Sequence, residues 1–455
     1  MRHRTRLAAL VVFSIMLAGG TQAAISARGP DCPDQVRCAS GSLRDGAAWT
    51  IQMPRRWNGR LLLFSHGYVP PDRPNLPAAA AIDPVAGERL LARGYALAGS
   101  SYASTGWAVA DAFADQEAVL RRFRAEFGAP RATVAWGDSM GGLITAGLLQ
   151  RHPRQFAGGL AMCGVLGGAV SFWNTSLDLA VVFKTLIAPR LVLTGIDDPR
   201  ANVDRARAAL TETQRTPAGR ARIALAAALS DLPGGTGYER AQYQALRTQL
   251  AFAFGYRAEL ERRAGGNPSG NAGVDYAAEL RRSADRGEVR ALYATAGLNL
   301  DADLAALAAS PRIHAQPLAQ AYLQRNAVLN GNLNVPLLTL HTTADWVVPV
   351  QNESAFAAIA GGPLLRRLYI RRAGHCAFTD AEMLTALDLL FARIHHGRWP
   401  SAAPAALNAA ARRLGPAYDG FAASRAVPLK APPAFTAAPT PGGGSRTPAA
   451  WSTRP

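Results

Sequence analysis

The apolar and polar positions of this chain fall into two regimes. Up to about residue 165, short apolar runs alternate with longer amphipathic stretches. Trp49 to Met53 and Arg60 to Phe64 read as strands, separated by the turn-prone Arg56-Trp57-Asn58-Gly59. The second carries Leu61-Leu62-Leu63-Phe64, a continuous apolar run suited to a strand buried on both faces of a parallel sheet. Gly94 to Ser101, Ala132 to Trp136 and Gly158 to Val165 read as further strands, with helices over Ala112 to Phe127 and Gly141 to Arg151. This alternation predicts an α/β fold with a mainly parallel sheet flanked by helices.

From about Ser171 to Asn330 the rhythm changes. The sequence becomes rich in Ala, Arg and Leu, mostly helical in period, and is broken by Pro233-Gly234-Gly235 and by Gly265 to Gly273. Strand-like segments return at Val335 to His341 and Leu365 to Ile370, followed by a helix from about Thr379 to His396. The pattern predicts a core made of residues 24–170 and 332–398, with a large helical cap or lid, 171–331, inserted into it. Asn267-Pro268-Ser269-Gly270-Asn271 reads as a flexible connection suited to lid motion. The aromatics Phe172, Trp173, Phe183, Phe252, Phe254 and Tyr256 either pack the cap's own helices, the commoner use, or line an apolar pocket. Beyond Trp399 an Ala/Pro-rich tail, 399–455, is expected to be disordered over its last twenty residues.

Composition narrows the class. Of 455 residues 49% are apolar and 18% charged, enough to bury a large core and too apolar for global disorder. The formal charge of +17 invites a nucleic-acid reading, but only Lys184 and Lys430 among 49 basic residues are lysine, and the arginines are scattered. No dense basic block with interleaved aromatics appears, and no nucleic-acid partner is expected. Arg2, His3, Arg4 and Arg6 precede the short apolar run Leu7 to Ala18, and Thr21 and Ala23 suit the −3 and −1 positions of a cleavage site. Residues 1–23 therefore read as a Sec-type signal peptide, the alternative being an uncleaved anchor. The mature chain is expected in a bacterial periplasm or outside the cell, without stable membrane insertion. Four cysteines, Cys32, Cys38, Cys163 and Cys376, fit an oxidising compartment.

The chemistry concentrates at three residues. Gly137-Asp138-Ser139-Met140-Gly141 places a serine between a predicted strand and a predicted helix, the context of a nucleophile elbow. The glycines permit a sharp turn, and the helix starting there directs its N–H dipoles at developing negative charge. Such a serine needs a base, and His375 follows the last predicted strand. His66 is a weaker candidate, because a His-Gly pair after a strand is usually architectural. An acid must orient the base. Asp345 follows the Leu337 to His341 strand, thirty residues before His375; Asp197 and Asp198, after Leu191 to Ile196, are the alternatives. Oxyanion donors are expected from the backbone amides of Met140 and of Tyr68, in Ser65-His66-Gly67-Tyr68. No metal or cofactor is called for, since His395-His396 and the isolated acids form no ligand set with convincing spacing.

On His66-Gly67, Gly137 to Gly142, Asp345 and Gly374-His375, the chain resembles secreted members of the α/β-hydrolase superfamily over Trp49 to Val165 and Val335 to Arg398. The resemblance implies an eight-strand-type sheet and serine-hydrolase chemistry without naming a substrate. Tannases and feruloyl esterases bridge a cysteine just before the serine to one just after the histidine. Here Cys376 follows His375, but Asp138 precedes Ser139. The similarity suggests a Cys163–Cys376 bridge holding the histidine loop by another route, leaving Cys32 to pair with Cys38. The expected activity is hydrolysis of a small-molecule or polymeric carboxylic ester through an acyl-enzyme. The alternatives are a serine peptidase of the prolyl oligopeptidase or aminopeptidase kind, and a non-catalytic binding protein on the same fold.

Overall fold

The computed structural model describes residues 32–33, 35–234, 240–416 and 420–422. The signal-like segment 1–23 and the end of the tail lie outside the described residues. The first half builds β1 (Val36–Ser42), β2 (Ala48–Pro54), β3 (Arg60–Ser65), α1 (Pro84–Ala92), β4 (Ala96–Ser100), α2 (Val109–Phe127), β5 (Ala132–Asp138), α3 (Met140–Arg151) and β6 (Gly158–Met162). A run of helices follows: α4 (Gly168–Leu186), α5 (Pro199–Thr213), α6 (Pro217–Leu229), α7 (Arg240–Ala251), a π-helical turn (Phe252–Tyr256), α8 (Arg257–Ala264), α9 (Tyr276–Arg282), α10 (Arg286–Thr295), α11 (Leu300–Ala309) and α12 (Pro317–Ala327). The chain then returns to the sheet with β7 (Leu337–Ala344), α13 (Gln351–Ile359), β8 (Leu365–Ala373), α14 (Asp380–His396), α15 (Pro404–Leu414) and β9 (Phe421–Ala422).

The strands form one mixed sheet in the order β1-β2-β4-β3-β5-β6-β7-β8-β9. β4, β3, β5, β6, β7 and β8 run parallel, while β1, β2 and the two-residue β9 pair antiparallel at the edges. The Arg56 to Gly59 turn does not close a hairpin, because β4 lies between β2 and β3. The apolar run in β3 shows why the sheet is buried on both sides. Leu61 and Leu63 pack with Leu120 and Phe123 of α2 and Leu143 and Ile144 of α3. Leu62 and Phe64 face the other way, against Leu90 of α1 and Leu387 and Leu390 of α14.

The helices between β6 and β7 have their own buried cluster, including Leu177, Phe183, Leu210, Ile223, Leu250, Phe254 and Tyr293. One expectation is corrected within this stretch. Residues 191–196 form no strand; Asp198 instead caps α5 by accepting from the Ala201 N–H at 3.0 Å. The Asn267 to Asn271 segment is a bonded turn, with Asn267 Oδ1 accepting from Ser269 N at 3.1 Å and buried Asn271 donating to the Tyr276 hydroxyl at 3.0 Å. The tail is also partly ordered. Leu407 and Ala411 of α15 join the cluster on α14, and Phe421 pairs with Ile370. Among the described residues no helix is long and apolar enough to cross a membrane.

Candidate active site

Ser139 sits where β5 turns into α3, with φ 56° and ψ −122°. A serine holds this left-handed strain only when its surroundings fix it. They do: Ser139 N donates to Met162 O of β6 at 2.9 Å, and two glycines let neighbouring backbone close in. A Cβ on Gly141 would stand 1.9 Å from Ser65 O, and one on Gly67 would stand 3.2 Å from Ser139 Cβ. The segment from Ser65 to Gly67 therefore runs directly against the serine and the start of α3.

His375 lies between β8 and α14. Its Nε2 accepts from the Ser139 hydroxyl at 2.8 Å, and its Nδ1–H donates to Asp345 Oδ2 at 2.7 Å. Asp345 is buried, and its Oδ1 accepts the Val347 and Val348 N–H groups at 2.8 and 3.0 Å. With Asp345 acceptor-only, the proton belongs on Nδ1 and Nε2 is free to act as base. Asp345, rather than Asp197 or Asp198, is thus the acid at hydrogen-bond distance from the imidazole.

The histidine loop is anchored on both sides. Gly374 N donates to Ala344 O at 3.1 Å, and the Thr342 hydroxyl donates to Gly374 O at 2.6 Å. Arg372 forks onto Glu382 at 2.8 and 2.9 Å and donates to Ala377 O at 2.6 Å, while Thr379 and Glu382 close a capping box on α14. Cys376 is bonded to Cys163, just past the end of β6, and Cys32 is bonded to Cys38. Cys163, His375 and Cys376 are where His and Cys side chains gather among the described residues, but the disulfide consumes both sulfurs.

Asp138 stands where the tannase-like pattern has cysteine. Burial raises its pKa to about 6, against a smaller opposing pull from His375. His66 takes no part in the serine's hydrogen bonding. Its ring stacks on Tyr102 at 3.9 Å, its Nδ1 meets Gly67 O at 2.7 Å, and burial lowers its pKa. The Tyr68 ring is packed at 6.5 Å from Trp107, 5.0 Å from Phe252 and 5.6 Å from Tyr256. Burial raises its pKa well above the usual value, so the phenol stays neutral.

The insertion's aromatics divide between two places. Phe183 and Phe254 pack on each other within it, at 6.3 Å. Phe172 and Trp173 pack on Trp107 at 5.7 and 5.5 Å, and with Phe252 and Tyr256 they join the rings around Tyr68. Polar contacts tie the insertion to the site as well. Gln249 of α7 donates to the carbonyls of Trp346 and Val347 at 2.5 and 2.9 Å, reaching the loop that holds Asp345. Glu259 accepts from Trp107 N at 3.0 Å, and Arg263 donates to Thr105 O at 2.8 Å and Asp111 at 3.2 Å. None of these supporting residues stands out in the sequence, where each is one polar side chain in a helix.

No protein-family model matches the chain. A curated relative, o-phthalyl amidase from Xanthobacter agilis, is 27% identical over 421 residues, covering 82% of this chain and 90% of its own length. Among solved structures, an esterase from Aspergillus oryzae is similar over 80% of both chains, with 13% identity and a TM-score of 0.38. The acylaminoacyl peptidase of Pyrococcus horikoshii is similar over 75% of this chain, with 12% identity and a TM-score of 0.35. This chain spans only 37% of that peptidase's length.

Proposed function

We propose that this chain is an exported serine hydrolase that cleaves carboxylic acyl bonds through Ser139, His375 and Asp345. The observation that carries this is the unbroken chain of hydrogen bonds from the Ser139 hydroxyl to His375 Nε2 at 2.8 Å and from Nδ1 to buried Asp345 at 2.7 Å. In the first step Ser139 Oγ attacks the substrate carbonyl as its proton passes to Nε2. Asp345 then faces an imidazolium, and the Met140 and Tyr68 amides receive the oxyanion. Collapse expels the alcohol or amine with the proton from Nε2. Water, deprotonated by the same nitrogen, attacks the acyl-enzyme and releases the acid. No cofactor enters this sequence.

The helices inserted between β6 and β7 serve in this reading as a cap. Support comes from the rings of Phe172, Trp173, Phe252 and Tyr256, which pack with Tyr68 and Trp107 and so bring these helices against the loop after β3. Small carboxylic esters remain the leading substrates. Amides form the second reading, favoured by the o-phthalyl amidase relative. Matched benzoyl and 2-carboxybenzoyl esters and anilides separate the two, with kcat/KM measured for wild type and Ser139→Ala. Ester turnover that vanishes in the variant supports the first reading. Comparable kcat/KM for the anilides shifts it to the second, and turnover unaffected by the substitution contradicts both.

A further inference from the structure

Behind Asp345 lies a second buried pair that the triad itself does not use. His341 of β7 and Glu353 of α13 are both fully buried. His341 Nε2–H donates to Val348 O at 2.8 Å, and the same nitrogen lies 3.6 Å from Asp345 Oδ2. Val348 is thus held twice, its N–H on Asp345 and its C=O on His341. The other ring nitrogen, Nδ1, faces Glu353 Oε1 at 3.3 Å. Glu353 Oε2 is already occupied by the Thr339 hydroxyl at 2.6 Å.

This arrangement requires one more proton. The bond to Val348 O places a proton on Nε2, so a neutral ring would present the lone pair of Nδ1 to a carboxylate, two acceptors facing each other without water. A proton between them removes the conflict. Two buried carboxylates, Glu353 on one edge of the ring and Asp345 near the other, favour placing it on the imidazole. From β8, Tyr369 pairs with His341 across the ladder, and Arg367, which donates to Glu353 O at 3.4 Å, adds the opposing positive charge. His375 lies beyond Asp345.

We propose that His341 is a positioning residue: a buried imidazolium, held by Glu353, that pins the acid loop through Val348 and limits how strongly Asp345 raises the basicity of His375. The role in catalysis rests on the triad reading above; the protonation state does not. Glu353→Gln is the informative variant, because the amide can donate to Nδ1 and still accept from Thr339, deleting the proton while keeping the bonds. A positive charge beside Asp345 is then lost, the more distant negative charge of Glu353 goes with it, and the imidazolium of His375 becomes easier to form. The acid limb of the pH profile of kcat/KM should move up by about 0.5 to 1 pH unit. Nitrogen-15 spectra of histidine-labelled protein, with His341 assigned by its loss in His341→Gln, read the charge directly.

The expected result is two protonated ring nitrogens on His341 at neutral pH in wild type and one in Glu353→Gln, together with the shifted limb. A neutral His341 in wild type, or an acid limb unmoved in a folded Glu353→Gln, overturns the proposal. Failure of the triad reading has a separate signature: Ser139→Ala turns over as wild type does, while the His341 spectra still report its charge.

Discussion

Substituting Gly141 by alanine tests whether close backbone approach, rather than the G-x-S-x-G pattern as such, sets the position of the serine. A Cβ there would lie 1.9 Å from Ser65 O, 2.6 Å from Ser65 C and 2.8 Å from His66 O. The first distance is about 1.5 Å short of an ordinary 3.4 Å contact, and the obstructing atoms are backbone of Ser65, the last residue of β3 and paired with Gly137 of β5, and of His66 after it. The strand cannot yield, so the start of α3 must lift, taking Ser139 with it. Overpacking of this kind costs about 3 kcal/mol. A displacement of the nucleophile on the order of 1 Å costs about 100-fold in turnover. Gly287, in the first turn of α10, is the control: nothing lies within 4 Å of a Cβ there, so Gly287→Ala should be neutral or stabilising by up to about 1 kcal/mol. Urea unfolding and kcat/KM on the best ester of the panel are the assays. A Gly141→Ala protein with wild-type midpoint and turnover would refute the steric reasoning.

Two further outcomes follow from the same contacts. Cys163–Cys376 closes a sequence separation of 213 residues and Cys32–Cys38 one of 6, so chain entropy assigns about 5 and about 2 kcal/mol to them. Paired alanine substitutions, compared by urea unfolding under oxidising conditions, should preserve that order, and only loss of Cys163–Cys376 should lower kcat; equal costs would contradict the loop-closure estimate. Burial raises the pKa of Asp138 to about 6 from 3.8, so the folded state holds a proton the unfolded chain has released. Stability from this group is therefore full below about pH 4 and is lost as pH rises through about 6. Asp138→Asn should flatten that slope and gain up to about 3 kcal/mol relative to wild type at pH 8, read by thermal or urea unfolding across the range; an unchanged slope would show that Asp138 stays ionised.

The parts of the site legible in the sequence are those where chemistry and local structure coincide. Ser139 could be read because its glycines flank a strand-to-helix turn, and His375 and Asp345 because each follows an apolar strand. The Cys163–Cys376 bridge was suggested by likeness to a neighbouring pattern, though the cysteine before the serine is replaced by Asp138. What escaped the sequence depends on tertiary contact. His341 reads as one polar residue in a strand, and its meaning appears only when α13 brings Glu353 against it. Leu191 to Ile196 has the composition of a strand, yet among the described residues it pairs with none of the strands of the sheet. Asn267 to Asn271 has turn residues, and the contacts they make with Asn174, Tyr276 and Ile313 are long-range bonds that the local pattern does not show. The edge strand β1 is not legible in the sequence because its exposed, polar positions dilute the alternation.

The most direct test of Ser139 as an activated nucleophile is to treat the purified, disulfide-intact protein and its Ser139→Ala variant with a fluorophosphonate probe, then map the labelled peptide by mass spectrometry. Labelling at Ser139 that is absent from the variant is the predicted result. Labelling at another residue, or none in a protein that still hydrolyses small esters, would contradict it.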